Sequence, residues 1–479
     1  MAKFYLTTTL PYVNAAPHIG LALEEIQADA VARYQKMLGD EVIYNFGTDE
    51  HGLKIYRKAQ EEKKDPQEYV DEYAAKFDLL KEALNLSYTN FTRTSDKHHV
   101  AAAQEFWRRC AANDDIYKKL YKIKYCVGCE LEKTESELEN GRCPLHPNLE
   151  LEIYEEENYF FKFSKYQKPL LEFYKKTPAF VIPETKYNEI KAFVKNGLED
   201  FSVSRLKSKM PWGIDVPGDK NHVMYVWFDA LVNYISTLGW PEDEKRFKDF
   251  WPVTQFAGKD NLRQQSAIWQ AMLMSAKLPN SKQIFIHGFL TVNGQKISKS
   301  LGNVIDPIEI VNEYGTDPLR YYLLAKVHPW EDSDFSQDKF KEVYNADLAN
   351  GLGNLISRVA KLCETAEHKV MKTQAHTVEH MMEVEGYTDA LSEYRFNDAL
   401  SFVWRKITEL DKFINQEKPW EYVKSNSVKT REILSHAVDQ IQEIAILLEP
   451  FLPETAQRIE EQFKGPEIFS SKPLFPRII

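Results

Sequence analysis

The first fifty residues constrain the fold more than any other stretch. Phe4-Tyr5-Leu6-Thr7-Thr8-Thr9 is rich in β-forming side chains, residues 21–38 repeat apolar groups at helical spacing, and Val42-Ile43-Tyr44-Asn45-Phe46 is a short strand that stops at Gly47. Strand, helix, strand in that order is a βαβ unit, with parallel strands and a right-handed crossover. The fold class predicted is therefore α/β, a doubly wound parallel sheet. Strand-like runs return at Val223–Phe228, Val253–Ala257 and Gln283–Leu290, with helical stretches between them. The sheet is thus expected to be split by an insertion.

Beyond about residue 343 the pattern becomes helical, and Asn350 to Arg358 is expected to open the first bundle helix. Phe396, Leu400, Val403, Ile407, Leu410 and Ile414 are spaced three or four apart, and Leu434, Val438, Ile441, Ala445 and Leu448 repeat the pattern. Such stripes are the buried faces of antiparallel bundle helices. A chain of 479 residues is too long for one core. The predicted division is 1–115 for the first half of the catalytic sheet, 116–218 for the insertion, 219–289 for the second half, 290–342 for a lysine-bearing loop and stem-contact region, and 343–479 for the bundle. No apolar run approaches the length that spans a bilayer, and Met1 to Leu10 holds no signal-peptide core, so no membrane contact and a cytoplasmic location are expected. The net charge of −11 argues against a protein that coats nucleic acid non-specifically.

Two segments suit phosphate chemistry. Pro17-His18-Ile19-Gly20-Leu21 falls where the first helix begins, and backbone N–H groups and the helix dipole there favour anions. His18 can donate to a phosphoryl oxygen, and Gly20 leaves room for a flat base; the alternative is a packed histidine. Gly294-Gln295-Lys296-Ile297-Ser298-Lys299-Ser300-Leu301-Gly302 places two lysines three apart between serines and glycines. Charge of that kind stabilises leaving pyrophosphate; the alternative is a solvated lysine loop.

Cys126-Val127-Gly128-Cys129 is followed, after thirteen residues, by Cys143-Pro144-Leu145-His146. Two tight pairs joined by a loop suit one tetrahedral zinc ion held by Cys126, Cys129, Cys143 and His146. A closed four-ligand site leaves no open position, so its role should be structural. Iron is the alternative metal.

His18-Ile19-Gly20-Leu21 and Lys296-Ile297-Ser298-Lys299-Ser300 resemble the two signatures of class I aminoacyl-tRNA synthetases, HIGH and KMSKS. Ile297 stands for Met, and Leu21 replaces a histidine that helps bind ATP phosphates in that family. Thr9-Leu10-Pro11-Tyr12, Phe46-Gly47-Thr48-Asp49-Glu50-His51-Gly52, Val226-Trp227-Phe228-Asp229-Ala230, Tyr234 and Ile286-His287-Gly288-Phe289 extend the resemblance to methionyl-tRNA synthetases, in order and across nearly the whole chain. The resemblance implies a Rossmann-like sheet split by a zinc-knuckle insertion, then an all-α anticodon-binding bundle. It implies that His18, Lys296 and Lys299 are catalytic and that ATP is bound by His18, Gly20, Lys296, Ser298, Lys299, Gly258 and Asp260, with magnesium accompanying the nucleotide. Methionine would be held by Leu10, Asp49, Trp227, Ala230, Tyr234, His287 and Arg205. A thioether packs well against aromatic edges, although Trp227 and Tyr234 would read as ordinary core side chains on their own.

Asn354, Arg358 and Trp420 match positions that bind the methionine anticodon in this family. Anticodon bases are unstacked and are read by stacking and edge hydrogen bonds. Trp420 after Pro419 would be a rigid platform; the alternative is a helix-end tryptophan capping the core. The bundle is acidic, with 16 Lys and Arg against 21 Asp and Glu over 346–479, so binding must rest on a few placed residues. The expected activity is ATP-dependent attachment of methionine to its tRNA by a monomer. The alternatives are a synthetase for another apolar amino acid or cysteine, or an inactive tRNA-binding paralogue.

Overall fold

The computed structural model describes residues 2–133, 137–297, 302–369, 384–421, 423 and 428–478. The predicted βαβ opening is present as β1 (Lys3–Thr7), α1 (Ile19–Met37) and β2 (Glu41–Thr48). β3 (Asn90–Arg93) follows, then α2 (Lys97–Ala112), and the chain leaves the sheet through an antiparallel pair, β4 (Ile116–Cys126) and β5 (Glu152–Phe161). It returns with β6 (Val181–Ile182), β7 (Thr254–Gly258) and β8 (Gln283–His287). The main sheet has six parallel strands in the order β3-β2-β1-β7-β8-β6.

Period-two alternation assigns each strand residue to one of two cores. Leu6, Tyr44, Phe46, Phe256 and Phe285 pack on the side of α1, whereas Tyr5, Ile43, Ala257, Ile284 and Ile286 pack on the side of α2. Both faces are covered, as an all-parallel sheet requires. The first core runs without a break into the helical bundle: α3 (Phe396–Glu417), α4 (Val428–Leu448) and α5 (Pro453–Phe463). All the residues of the two predicted stripes are buried.

Three expectations change. β6 lies within 116–218 yet pairs with β8, so this insertion returns one strand to the main sheet before residue 218. The run Val223–Phe228 is no strand of that sheet: Asp219–Met224 pairs antiparallel with Ser204–Leu206, and Val226–Ala230 is a helical turn. Asn350 does not open the first bundle helix. That helix begins at Gln337, widens into a π-type stretch over Tyr344–Gly353 and continues to Thr365. Hydrophobic runs of this length do not reveal which partner strand is available, and that partner decides the outcome. Among the described residues no helix is long and apolar enough to cross a membrane.

Candidate active site

The sheet order reverses at β1, which lies between β2 and β7. Loops from neighbouring strands diverge there and leave a crevice at their carboxyl ends. Two adjoining cavities occupy it. One of about 350 Å³ is lined by Leu10, Asp49, Trp227, Ala230 and Tyr234, together with Lys54 and Gln265. The other, of about 590 Å³, is lined by His18, Gly20, Glu24, Gly258 and His287. Thr9, Pro11, Tyr12, Asp260, Asn261 and Lys296 line both, so the cavities meet along the loop after β1 and the loop after β7.

In the smaller cavity Asp49 is buried, and its backbone is fixed by an N–H bond to the Pro11 carbonyl at 3.0 Å. Its Oδ1 has no hydrogen-bond partner among the described residues. Burial and the neighbouring Asp229 carboxylate push its pKa well above the usual carboxylate range. Trp227 meets the Tyr12 ring edge-on at 6.4 Å, and Tyr234 is buried edge-on against Trp269 at 5.9 Å. The Tyr234 hydroxyl accepts from Gln265 Nε2 at 2.7 Å, which leaves its own proton available to a ligand. Gln264 and Gln265 enter the cavity from a π-type turn over Gln264–Ile268.

In the larger cavity His18 caps α1. Its Nδ1 accepts the Gly20 N–H at 3.1 Å, so the ring proton resides on Nε2. Burial lowers its pKa, which favours this neutral donor form. A Cβ on Gly20 would stand 3.0 Å from the His18 ring and 3.6 Å from Ile297 Cδ1; the glycine keeps this mouth clear. Leu21 also lines the cavity and brings no donor. Ser298 and Lys299 lie outside the described residues.

Two expected methionine ligands stand elsewhere. His287 lines the larger cavity rather than the one bearing Trp227. Arg205 lines a separate recess of about 20 Å³ with Leu53, Tyr125, Glu156, Lys209 and Met210. Pairing of Arg205 with Val223 fixes its direction: Nη1 donates to the Ser204 carbonyl at 2.7 Å, and the guanidinium lies 4.5 Å from the Tyr225 ring centre. Glu24 and Lys54 escaped the sequence reading, and Thr9 and Asn261, though they fall within motifs that carry the resemblance, were given no role of their own. A signal existed for Glu24, since the two acids Glu24 and Glu25 interrupt the apolar spacing of the first helix and each has to find a partner once buried.

The knuckle forms one wall of the smaller cavity through Gly128, Cys129, Leu145 and His146. The ligand atoms of Cys126, Cys129, Cys143 and His146 lie within 4.8 Å of one another. His146 Nδ1 is 3.1 Å from Cys129 Sγ, 3.7 Å from Cys126 Sγ and 4.0 Å from Cys143 Sγ. Atoms bound to one tetrahedral zinc stand roughly 3.5–3.8 Å apart, so this donor set fits a single metal ion. A Cβ on Gly128 would come within 2.5 Å of the imidazole, so only glycine admits the ring there. The Lys54 N–H donates to Glu130 Oε1 at 2.6 Å, and the Tyr125 and Tyr225 hydroxyls donate to Glu130, which ties the knuckle to the sheet.

In the bundle Asn354 is exposed and Arg358 is half-buried, its Nη2 bonded to Asp411 Oδ1 at 2.8 Å and its Nη1 to Asn415 Oδ1 at 2.9 Å. Lys418 adopts a left-handed conformation that ends α3, and Pro419 is buried beneath the turn. Trp420 is 46% exposed and does not cap the core.

The split parallel sheet, the crevice at its switch point and the α-helical bundle are the architecture expected of a class I tRNA synthetase. The family model described as tRNA synthetases class I (M) matches residues 4–150 and 128–360, and that of the anticodon-binding domain of tRNA ligase matches 383–478. The methionine–tRNA ligase of Nostoc sp. is 42% identical, covering 96% of this chain and 89% of that protein, and that of Thermotoga maritima is 40% identical over 95% and 74%. A structure of Mycobacterium tuberculosis methionyl-tRNA synthetase in complex with methionyl-adenylate superposes with a TM-score of 0.92 at 33% identity, covering all of both chains. The chain belongs to the methionine–tRNA ligase family.

Proposed function

We propose that this chain activates methionine with ATP and transfers it to the 3′ end of methionine tRNA, releasing pyrophosphate and AMP. The observation that carries this reading is the pair of joined cavities, with the unpartnered Oδ1 of Asp49 in one and the helix-capping His18 in the other. The likeness to methionine–tRNA ligases, and the methionyl-adenylate bound by the mycobacterial enzyme, support it.

Asp49 takes the substrate ammonium. Leu10, Trp227, Ala230 and Tyr234 wrap the side chain. Wall shape selects methionine over branched aliphatics, because one methylene is worth only about 1–3 kcal/mol. ATP enters as its magnesium complex in the larger cavity, against Gly20 and Gly258. Where the cavities meet, the methionine carboxylate attacks the α-phosphate in line and pyrophosphate leaves. The 3′ hydroxyl of tRNA then attacks the adenylate. His18 Nε2–H and Lys296 face the developing charge, joined by Lys299 and Ser298 of the same loop. Lys296 borders both cavities and stands in for the donor that Leu21 lacks. No protein nucleophile is needed; catalysis is positioning and electrostatics.

Zinc, held by Cys126, Cys129, Cys143 and His146, fixes the knuckle as a wall of the amino-acid cavity. Asn354, Arg358 and Trp420 read the anticodon, and an exposed tryptophan on a proline-fixed turn is a platform for one base. The test is charging of a methionine tRNA transcript with labelled methionine. Acid-stable label on the tRNA that depends on ATP is expected. Charging of a leucine or cysteine tRNA instead would replace this reading with another synthetase.

A further inference from the structure

Helix α1 carries a buried carboxylate that the adenylation chemistry leaves unused. Glu24 lies six residues beyond His18 and is 4% exposed. Its two oxygens serve different elements. Oε1 accepts the Thr9 N–H at 2.7 Å and the Thr9 hydroxyl at 2.6 Å. Oε2 lies 2.8 Å from His287 Nε2 at the end of β8. His287 is also buried, and its Nδ1 lies 2.8 Å from the Gly288 carbonyl. A carbonyl only accepts, so Nδ1 carries a proton and donates to Gly288. Nε2 faces Glu24 Oε2, so a carboxylate there engages the second N–H of the ring within the protein.

The location gives this pair its meaning. Glu24 and His287 line the larger cavity, and Thr9 lines both. On the reading above, a substrate carboxylate and a phosphate must come together beside them. An uncompensated Glu24 there would repel both, whereas a bonded imidazolium cancels its charge. Thr9 also begins the loop that carries Leu10 and Tyr12 into the amino-acid cavity.

We propose that Glu24 is a positioning residue for adenylation: it clamps the loop after β1 to the end of β8 and holds His287 as its charge-balancing partner. The inference rests on the adenylation reading. Burial alone would lower the His287 pKa, but Glu24, the Gly288 carbonyl and Asp260 raise it above the ordinary histidine value. Glu24 from α1 and Asp260 from the loop after β7 are the charges acting on the ring, and His18, Lys296 and Asp332 line the same cavity. Loss of the imidazolium as pH rises would leave Glu24 uncompensated, so adenylation should fall on the alkaline side.

The wild-type protein supplies a measurement that needs no variant. The ¹⁵N shifts of the His287 ring, in protein labelled at histidine, should show both nitrogens protonated at neutral pH. Methionine-dependent ATP–pyrophosphate exchange, followed between about pH 6 and 9, gives the second readout. Glu24→Gln should abolish the alkaline fall of kcat, because no carboxylate remains to be uncovered, and should reduce kcat by roughly tenfold or more, as a misplaced catalytic wall does. Combining it with His287→Gln should cost little beyond the worse single change, since the two residues act as one unit. A neutral ring in the wild type, an unmoved pH profile, or losses that multiply independently would each overturn the clamp. Protein with both ring protons but no exchange would instead overturn the adenylation reading, and with it the role given to Glu24.

Discussion

Ionised Asp49 is costly in the protein without substrate, because it is buried and faces the Asp229 carboxylate. A carboxyl whose pKa is raised by folding lowers stability as pH climbs above its unfolded value. Asp49→Asn should therefore raise the melting temperature at pH 8 while weakening methionine binding. Loss of a buried charge partner costs about 2–5 kcal/mol, or roughly 30-fold and upward in Kd. Calorimetric titration with methionine and a melting curve on the same sample check both halves; a lower melting temperature with intact binding would contradict them. In the wild type, methionine should bind less well as pH falls through the raised Asp49 pKa, because the protonated acid cannot pair with an ammonium. At this scale local pattern was informative for His18, which falls where the first helix begins, whereas Asp49, after β2, was reached only through the family resemblance. Arg205 and His287 could not be placed, because their directions depend on antiparallel pairing with Val223 and on the partner Glu24, both distant along the chain.

The knuckle links a local ligand pattern to the substrate cavity. Its spacing was legible because four ligands in two tight pairs need no tertiary information. Its position was not: that Gly128, Cys129, Leu145 and His146 form a wall of the amino-acid cavity follows from the Lys54–Glu130 contact. Metal analysis should find about one zinc per chain. Removing it with a chelator should raise the methionine KM and speed hydrogen exchange over 126–146, with the bundle helices unaffected. Full methionine affinity in metal-free protein would show that the knuckle shapes nothing in the site. Short strands were the weakest point of the sequence reading. β6 has two residues, and its place in the sheet is dictated by Ile284 and Phe285 across the ladder, not by its own composition.

Across the whole molecule, α1 is joined to the bundle by one buried guanidinium. Arg320 lies 2.8 Å from Asp29 on α1 and donates to the carbonyls of Phe451, Pro450 and Leu84 at 2.7, 3.2 and 3.0 Å. Arg320→Met would leave Asp29 with Arg33 and Ser87 as partners but would take the guanidinium donor from three buried carbonyls, at a cost of about 1–3 kcal/mol for each one left unpaired. Denaturant unfolding should register that loss, and a variant as stable as wild type would show the junction to be soft. At the far end, Trp420→Ala should leave the melting curve in place, because the ring is half out of the protein. Charging at limiting tRNA should drop by roughly tenfold or more, the loss of one stacked base. Earlier melting with proportional loss of every activity would return Trp420 to the core. The bundle's existence was evident from its apolar stripes, but its fusion with the core beneath α1 was not, since periodicity says that a face is buried and not against what. The most direct measurement of the central claim is amino-acid-dependent exchange of labelled pyrophosphate into ATP by the purified chain without tRNA. Methionine should drive it, with leucine, isoleucine and cysteine far weaker, and Lys296→Ala should lower the methionine-driven kcat by about 10²–10³-fold, as removal of one transition-state donor does. Equal exchange with leucine, or none with any amino acid, would contradict the account.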